Sequence, residues 1–499
     1  MPPQHPALRS RPAVSSAEDG RAVGRMPAGR PAGAVPEHRR LLGWQVRIFA
    51  VTWLAYAGLY LTRKALSIAK IELKKPEVMG LSTETLSLID GGYLTAYACG
   101  QFVWGILGDR LGTRTVVLTG MAGSIAVAVA MGLSSSAVTL GLLFTIQGIC
   151  QSSGWAPLAK NIAEFFSRSV RGRVMGVWCS NFALGGMVGA VLAGLATRWG
   201  HATIPLPAVL GGQITLPDPW RMAFFVPATV LSLIWLLFLA LQANRPEDVG
   251  LPSPEQDRHE PESAIVAGEG LSDEPEGSWH TIFEVISSPI VLLLAFVYLF
   301  VKPLRYLLMF WSPVYLSERL GTGTAESGIL GSLFDLAGPL GIFAGGWVSD
   351  RLFRSRRFPV ITTTLFTGGL ALALLPLMPA TRWSLGAMLF AIGMLVYIPD
   401  SLVSGAAAID FGTRRGAGTA AGVINGVGSL GAIAGGTLPG FVKQLTGSDT
   451  TPWNGIFFTL AGGLILAGLC VAPQWNRLPP VPIQPAPPTR ARRRLSPRS

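Results

Sequence analysis

The chain has 499 residues, of which 49% are hydrophobic and only 14% charged, with 60 glycines and 14 tryptophans. That composition excludes an ordinary soluble enzyme and points to a polytopic membrane protein. The formal charge of +12 lies largely in arginines flanking apolar runs, so it reports topology and implies no nucleic-acid partner.

Twelve apolar runs of about 20 residues, each able to cross about 30 Å of hydrocarbon, are predicted. They fall near 46–71, 86–107, 114–133, 137–158, 173–197, 221–242, 288–316, 326–349, 359–378, 384–404, 415–442 and 455–473. The expected fold is an all-α membrane protein of twelve transmembrane helices in two pseudo-symmetric six-helix halves. Five regions are expected: a disordered cytosolic tail (1–44), an N-terminal half (45–243), a cytoplasmic linker (244–286), a C-terminal half (287–474) and a basic, Pro-rich cytosolic tail (475–499). The first 44 residues carry no hydrophobic run, which excludes a secretory signal peptide, and their prolines oppose an amphipathic transit peptide.

The first span, LAYAGLYLTRK, sets Tyr56, Tyr60 and Arg63 on one helical face. The seventh repeats the arrangement with Tyr298, Lys302 and Arg305, each 242 residues further on. An arginine at membrane depth costs about 2.5–3.5 kcal/mol on insertion scales, so two at matching positions predict a shared task. The expectation is that they face one another across a central cavity and hold an anion.

Loop charges set the orientation. Arg110, Arg114, Arg168, Arg171 and Arg173 follow spans two and four; Arg351, Arg354, Arg356, Arg357, Arg414 and Arg415 follow spans eight and ten. On the opposite side stand Lys70, Lys74 and Lys75, partly offset by Glu72 and Glu77. Both termini are therefore expected in the cytoplasm. The four cysteines all fall in apolar spans and suggest neither disulfides nor a metal site, and no cofactor is implied.

Span two ends in Gly105, Asp109, Arg110, Gly112 and Arg114, and span eight in Gly346, Asp350 and Arg351, with the two aspartates 241 apart. Arg171-Gly172 and Asn181 recur as Arg415-Gly416 and Asn425, offset by 244. Three anchors at nearly constant offset argue for duplicated halves. In the Gly-x3-Asp-Arg loop, glycine is expected to let helices close up and Asp to pair with Arg at a helix end, a gating role. The motif resembles the signature of the major facilitator superfamily.

In span four, Pro157 is expected to kink the helix, and Lys160 and Glu164 either pair at i,i+4 or reach the cargo. Gly185/Gly189, Gly431/Gly435 and Gly436/Gly440 have small-xxx-small spacing and predict close helix contacts. Residues 244–286 are acidic, proline-containing and without apolar periodicity, so a flexible tether is expected. All five histidines lie in tails or loops, which excludes a histidine proton relay in the spans.

The chain further resembles the organophosphate:inorganic phosphate antiporter family, which includes glycerol-3-phosphate and hexose-phosphate transporters. The resemblance spans all twelve runs and is sharpest at Tyr56, Tyr60, Arg63 and Lys64; Gly154, Trp155 and Pro157; RYLLMFWSP from Arg305 to Pro313; and Gly418–Gly422. It implies that Arg63 and Arg305 bind phosphate, that Tyr56 and Tyr60 line the cavity, and that Asp335 is a buried acid. Gln101 and Glu164 stand where some members carry lysine and histidine. Lys302 either restores that positive charge or pairs with Asp335 or Asp400. Cargo selectivity falls to lining residues such as Gln101, Asn181, Tyr397 and Asn425.

The implied activity is exchange of an organic phosphate for inorganic phosphate by a monomer in the cell (inner) membrane, or an endomembrane in a eukaryote. Two further readings stay open: a proton-coupled carrier of the same superfamily using Asp335, Asp400 or Asp410, and, as the family resemblance implies, a non-transporting sugar-phosphate sensor. No nucleophile–base pair or metal-ligand cluster suggests an enzyme.

Overall fold

The computed structural model describes residues 34–205, 213–252, 287–354, 356–407, 417–448 and 450–477. The N-terminal half contains α1 (Ala34–Leu73), α2 (Thr83–Leu111), α3 (Thr113–Leu133), α4 (Ala137–Gln151), α5 (Trp155–Phe165), α6 (Arg168–Trp178), α7 (Ser180–Ala196) and α8 (Pro219–Leu241). The C-terminal half contains α9 (Pro289–Leu320), α10 (Thr324–Arg351), α11 (Arg357–Leu374), α12 (Arg382–Ser401), α13 (Ala417–Thr446) and α14 (Trp453–Val471). The fourth crossing is α4 with α5 and the fifth α6 with α7, so the helices make twelve crossings. A short antiparallel ribbon, β1 (Thr203–Pro205) with β2 (Gln213–Thr215), departs from the all-helical expectation without altering the fold.

Eight of these helical stretches are long and apolar enough to cross a membrane by length and composition. The other four crossings, α1, α2, α4–α5 and α13, are those carrying buried charge, polar side chains, a break or dense glycine. Local signals set the ends. The Ser82 and Thr381 hydroxyls accept from the third backbone N–H onward, at 3.2 Å each, and start α2 and α12. Pro157 cannot donate to Ser153, so the fourth crossing breaks at 152–154, close to the expected kink.

Three boundaries and loops differ from the sequence reading. Helix α1 begins at Ala34, inside the expected tail 1–44, because Leu41, Trp44 and Ile48 carry the apolar face onward. Arg47 lies over the Trp44 ring there, 4.5 Å from its centroid. The start of the 244–286 segment is docked, not tethered: Asn244 Oδ1 accepts from the Arg114 N–H at 2.8 Å, and Asn161 donates to the carbonyls of Ala243 and Asn244. Residues 253–286 lie outside the described residues. Lys70 is no loop charge but fully buried in α1.

The halves repeat each other's packing. Helix α1 lies on α7 and α8 as α9 lies on α13 and α14, and α2 pairs with α4 as α10 pairs with α12. Between halves, α7 meets α10 and α2 meets α13. A Cβ at Gly185 would lie 2.7 Å from the Ala57 backbone, and one at Gly431 would lie 2.5 Å from the Leu299 carbonyl. These are the close contacts that the glycine spacing predicts. Gly436 and Gly440 use another stripe of α13, against Asp90 and Ser87 of the opposite half.

One face of the bundle carries the start of α1, and the other carries the loop at 74–82. Among the described residues, every hydrogen bond and ion pair crossing between halves lies between Lys64 and that loop face. They include Thr324 to Glu72 at 2.6 Å, the Gly440 N–H to Ser87 at 2.8 Å, Lys443 to Glu84 at 3.3 Å, and the pair Lys74–Glu318.

The helix-end loops only partly match expectation. Gly105 has nothing within 4 Å of where a Cβ would be, so it does not draw helices together; Gly108 instead lies against Pro157 at 3.2 Å. Gly112, at φ +80°, is required by its backbone. Arg114 caps the end of α8, donating to Gln242 O at 3.0 Å and to Leu239 O at 2.5 Å. Asp350 pairs at 2.7 Å with Arg357 of α11, not with its neighbour Arg351, which is exposed like Arg110. The Asp109 side chain, Asp410, Arg414, Arg415 and Gly416 lie outside what is described.

Candidate functional site

On α1, the helical repeat brings Tyr56, Tyr60 and Arg63 together as predicted. Arg63 is 1% exposed, and its guanidinium lies 4.1 Å from the Tyr60 ring centroid and 4.8 Å from that of Tyr97. Its Nε donates to Gln151 Oε1 at 3.0 Å, and the Tyr93 hydroxyl donates to the same oxygen at 2.7 Å. Gln151 is itself fixed: its Nε2 donates to Thr62 at 2.9 Å and to Ser124 at 3.3 Å. No carboxylate reaches Arg63 within ion-pair distance among the described residues, and its Nη2 is buried without a hydrogen-bond partner.

The matching cation on α9 is held differently. Arg305 Nη1 donates to Asp400 Oδ2 at 2.9 Å, and the Tyr298 hydroxyl donates to Oδ1 at 3.1 Å. The guanidinium stacks over Phe182 of the opposite half at 4.7 Å and Tyr397 at 5.0 Å, so it stands at the interface between halves. Its Nε is buried and unpartnered. The two arginines expected to hold one anion therefore differ: Arg305 already has a carboxylate partner. A buried guanidinium costs least beside a carboxylate, and Asp400 of α12 supplies one.

Lys64 follows Arg63 and points to the other half. It pairs with Asp335 at 2.6 Å and donates to Met309 O at 3.0 Å; Asp335 also accepts from Tyr397 at 3.2 Å. Pro313 has no N–H to give Met309, which leaves that carbonyl free for Lys64 and for Ser67 at 3.2 Å. Lys302, whose role the sequence leaves open, lies over Tyr298 at 4.9 Å and Tyr306 at 5.6 Å. It pairs with neither Asp335 nor Asp400.

The remaining expected site residues divide. Gln101 is half-buried one turn beyond Tyr97 on α2, and Asn425 is half-buried on α13. Asn181 is buried with both side-chain polar atoms unpartnered, on the stripe of α7 that carries Gly185 toward α1. Glu164 stands apart: thirteen residues beyond Gln151, it is about 20 Å along the crossing toward the terminal face. It forms no ion pair with Lys160, although both lie in α5.

Sequence reasoning missed Gln151, Tyr93, Tyr97, Phe182 and the pair Lys70–Asp90, which is wholly buried at 2.5 Å. A signal existed for part of this. Asp90, Tyr93, Tyr97 and Gln101 follow one face of span two at helical spacing.

The chain matches the Major Facilitator Superfamily profile over residues 49–436. It is 33% identical over 442 residues to the glycerol-3-phosphate transporter of Bacillus subtilis (strain 168), covering 87% of this chain and 92% of that one. The probable hexose phosphate transport protein of Chlamydia muridarum is 28% identical over 87% of this chain and 91% of its own length. The membrane sensor protein UhpC of Escherichia coli (strain K12) is 27% identical over 88% and 93%. Among solved structures, the inward-facing, unoccupied bacterial homolog of the human lysosomal transporter Spinster superposes with a TM-score of 0.64 at 16% identity, covering 87% of this chain and 95% of that one. Duplicated six-helix halves, paired loop motifs and this kinship agree: the chain is a transporter that belongs to the Major Facilitator Superfamily, with relatives among the organophosphate carriers.

Proposed function

We propose that the protein exchanges a phosphate ester for inorganic phosphate by alternating access, its halves rocking about a central anion site. One observation carries the reading: among the described residues, the cations Arg63 and Lys64 of one half and Lys302 and Arg305 of the other are matched by only two carboxylates, Asp335 on Lys64 and Asp400 on Arg305. The excess of two positive charges suits a phosphate group, which carries about −1.5 to −2 at neutral pH. The buried Arg63 Nη2 and Arg305 Nε are donors without partners, and guanidinium forks match phosphate oxygens bidentately. With the anion bound the buried site is balanced; without it the buried cations keep an excess of positive charge, which is costly. Exchange follows from that difference. The names of the relatives, glycerol-3-phosphate and hexose phosphate carriers, support a phosphorylated cargo.

Arg63 and Arg305 would hold the phosphate, with Tyr56, Tyr60, Tyr298 and Lys64 around it, while Gln101, Asn181 and Asn425 are candidates for reading the organic part. The basic residues Arg110, Arg114, Arg171, Arg351 and Arg357 gather at the terminal face, which supports both termini in the cytoplasm of a cell (inner) membrane. The interlocked loop face is then external and the conformation described opens inward. A monomer suffices, since both arginines come from one chain.

Proteoliposomes loaded with inorganic phosphate are expected to take up labelled phosphate and phosphate esters, and unloaded ones are not. Equal uptake by both would overturn obligatory exchange, and binding without uptake would favour a sensor, the role named for the Escherichia coli relative.

A further inference from the structure

Arg305 cannot offer its Nη1 to an anion without disturbing Asp400, although its Nε has no partner. Both oxygens of that carboxylate are engaged, Oδ2 by Arg305 and Oδ1 by the Tyr298 hydroxyl, and α12 holds it buried at 3% exposure. An incoming phosphate that claims the guanidinium would strand a buried negative charge, which proteins avoid. One nearby cation is uncommitted. Lys302 stands three residues before Arg305, over the ring of the same Tyr298, with no carboxylate within 4 Å among the described residues. The other cations at this level are placed otherwise: Lys64 is paired with Asp335, and Arg63 is anchored on Gln151 in the opposite half. A lysine, a point charge on a flexible four-carbon stem, can turn to a new partner where a stacked guanidinium fork cannot.

We infer that Asp400 is a switchable counter-ion, neutralising Arg305 in the empty carrier and passing to Lys302 when phosphate takes the guanidinium. The Tyr298 hydroxyl keeps hold of Oδ1 during the transfer. Lys302 is then a positioning residue that acts through Asp400 and does not touch the anion. This rests on the phosphate reading above, and it assigns the two cations of α9 different tasks. The N-terminal half has no such device, because the group on Arg63 is an amide.

The test is a double-mutant cycle on binding of inorganic phosphate to the purified full chain, read by titration calorimetry. Lys302→Met is expected to weaken binding about tenfold, because the carboxylate loses its second partner, and Asp400→Asn to tighten it. In the Asp400→Asn background, Lys302→Met is expected to change affinity by less than about twofold. The same loss in both backgrounds would mean that Lys302 contacts the anion, and the proposal falls; unchanged binding by Lys302→Met alone sinks it too. Where the methionine variant does not fold, Lys302→Arg keeps a cation in place. That variant is expected to stay within about threefold of wild type, and a larger loss overturns the idea. No phosphate binding by the wild-type chain would instead overturn the parent reading, so the two failures are distinct.

Discussion

On the N-terminal half, Arg63 leans on Gln151, a neutral amide fixed by Thr62 and Ser124; on the C-terminal half, Arg305 leans on Asp400, a carboxylate also held by Tyr298. Both partners come from corresponding crossings, the fourth and the tenth, so the duplicated frame is kept while its electrostatics diverge. The comparison teaches that symmetry of the backbone need not extend to charge. Among the described residues Arg63 has no carboxylate beside it, whereas Arg305 has Asp400. On the proposed exchange, binding is expected to begin on Arg63, with Arg305 joining as the site closes.

Four substitutions would break or sharpen this comparison. The largest effect belongs to the contact that joins the halves. Lys64→Met leaves Asp335 buried without its cation, and breaking such a pair costs about 3–5 kcal/mol. A fall in thermal stability of that size is expected, together with greater labelling of cysteines placed on the loop face. No change in either would detach the pair from the interlock.

Next come the arginines themselves. Losing a charge-assisted bond costs about 1.5–3 kcal/mol, or roughly 10–100-fold. Phosphate affinity is expected to fall toward the upper end for Arg63→Lys and the lower end for Arg305→Lys, whose charge Asp400 already offsets. Equal losses would erase the proposed order of binding. Smallest is Gln151→Glu, which gives the N-terminal arginine a carboxylate like that of its counterpart. Phosphate affinity is expected to drop about tenfold, the scale of one partly buried charge pair, and unaltered affinity would show that the character of the partner does not matter.

The sequence made some of this legible and concealed the rest for physical reasons. Arg63 and Arg305 are visible because a charge in an apolar run violates a strong local pattern, and their equal spacing from Tyr56 and Tyr298 exposes the duplication. The glycines of α7 and α13 are visible through their four-residue spacing. Gln151 is not, since an amide among apolar residues bears no mark of the arginine it will meet 88 positions away. The grip of Asp400 on Arg305 joins residues 95 apart and depends on how α9 meets α12, which no local period encodes. Gly105 shows the opposite case: a motif glycine stands over open space, while Gly108 makes the contact. The start of the helix at Ala34–Leu73 is hidden because the proline-rich residues before it mask the turn around Trp44.

The acceptor that Pro313 leaves exposed at Met309 has a consequence of its own. Since Lys64 and Ser67 are received there by a peptide oxygen, replacing the side chain at 309 cannot delete the contact, and chance mutation at that position should leave it intact. Its weak point lies four residues downstream. Pro313→Ala would restore a competing amide hydrogen and so loosen the grip between the two lobes without altering a single charge.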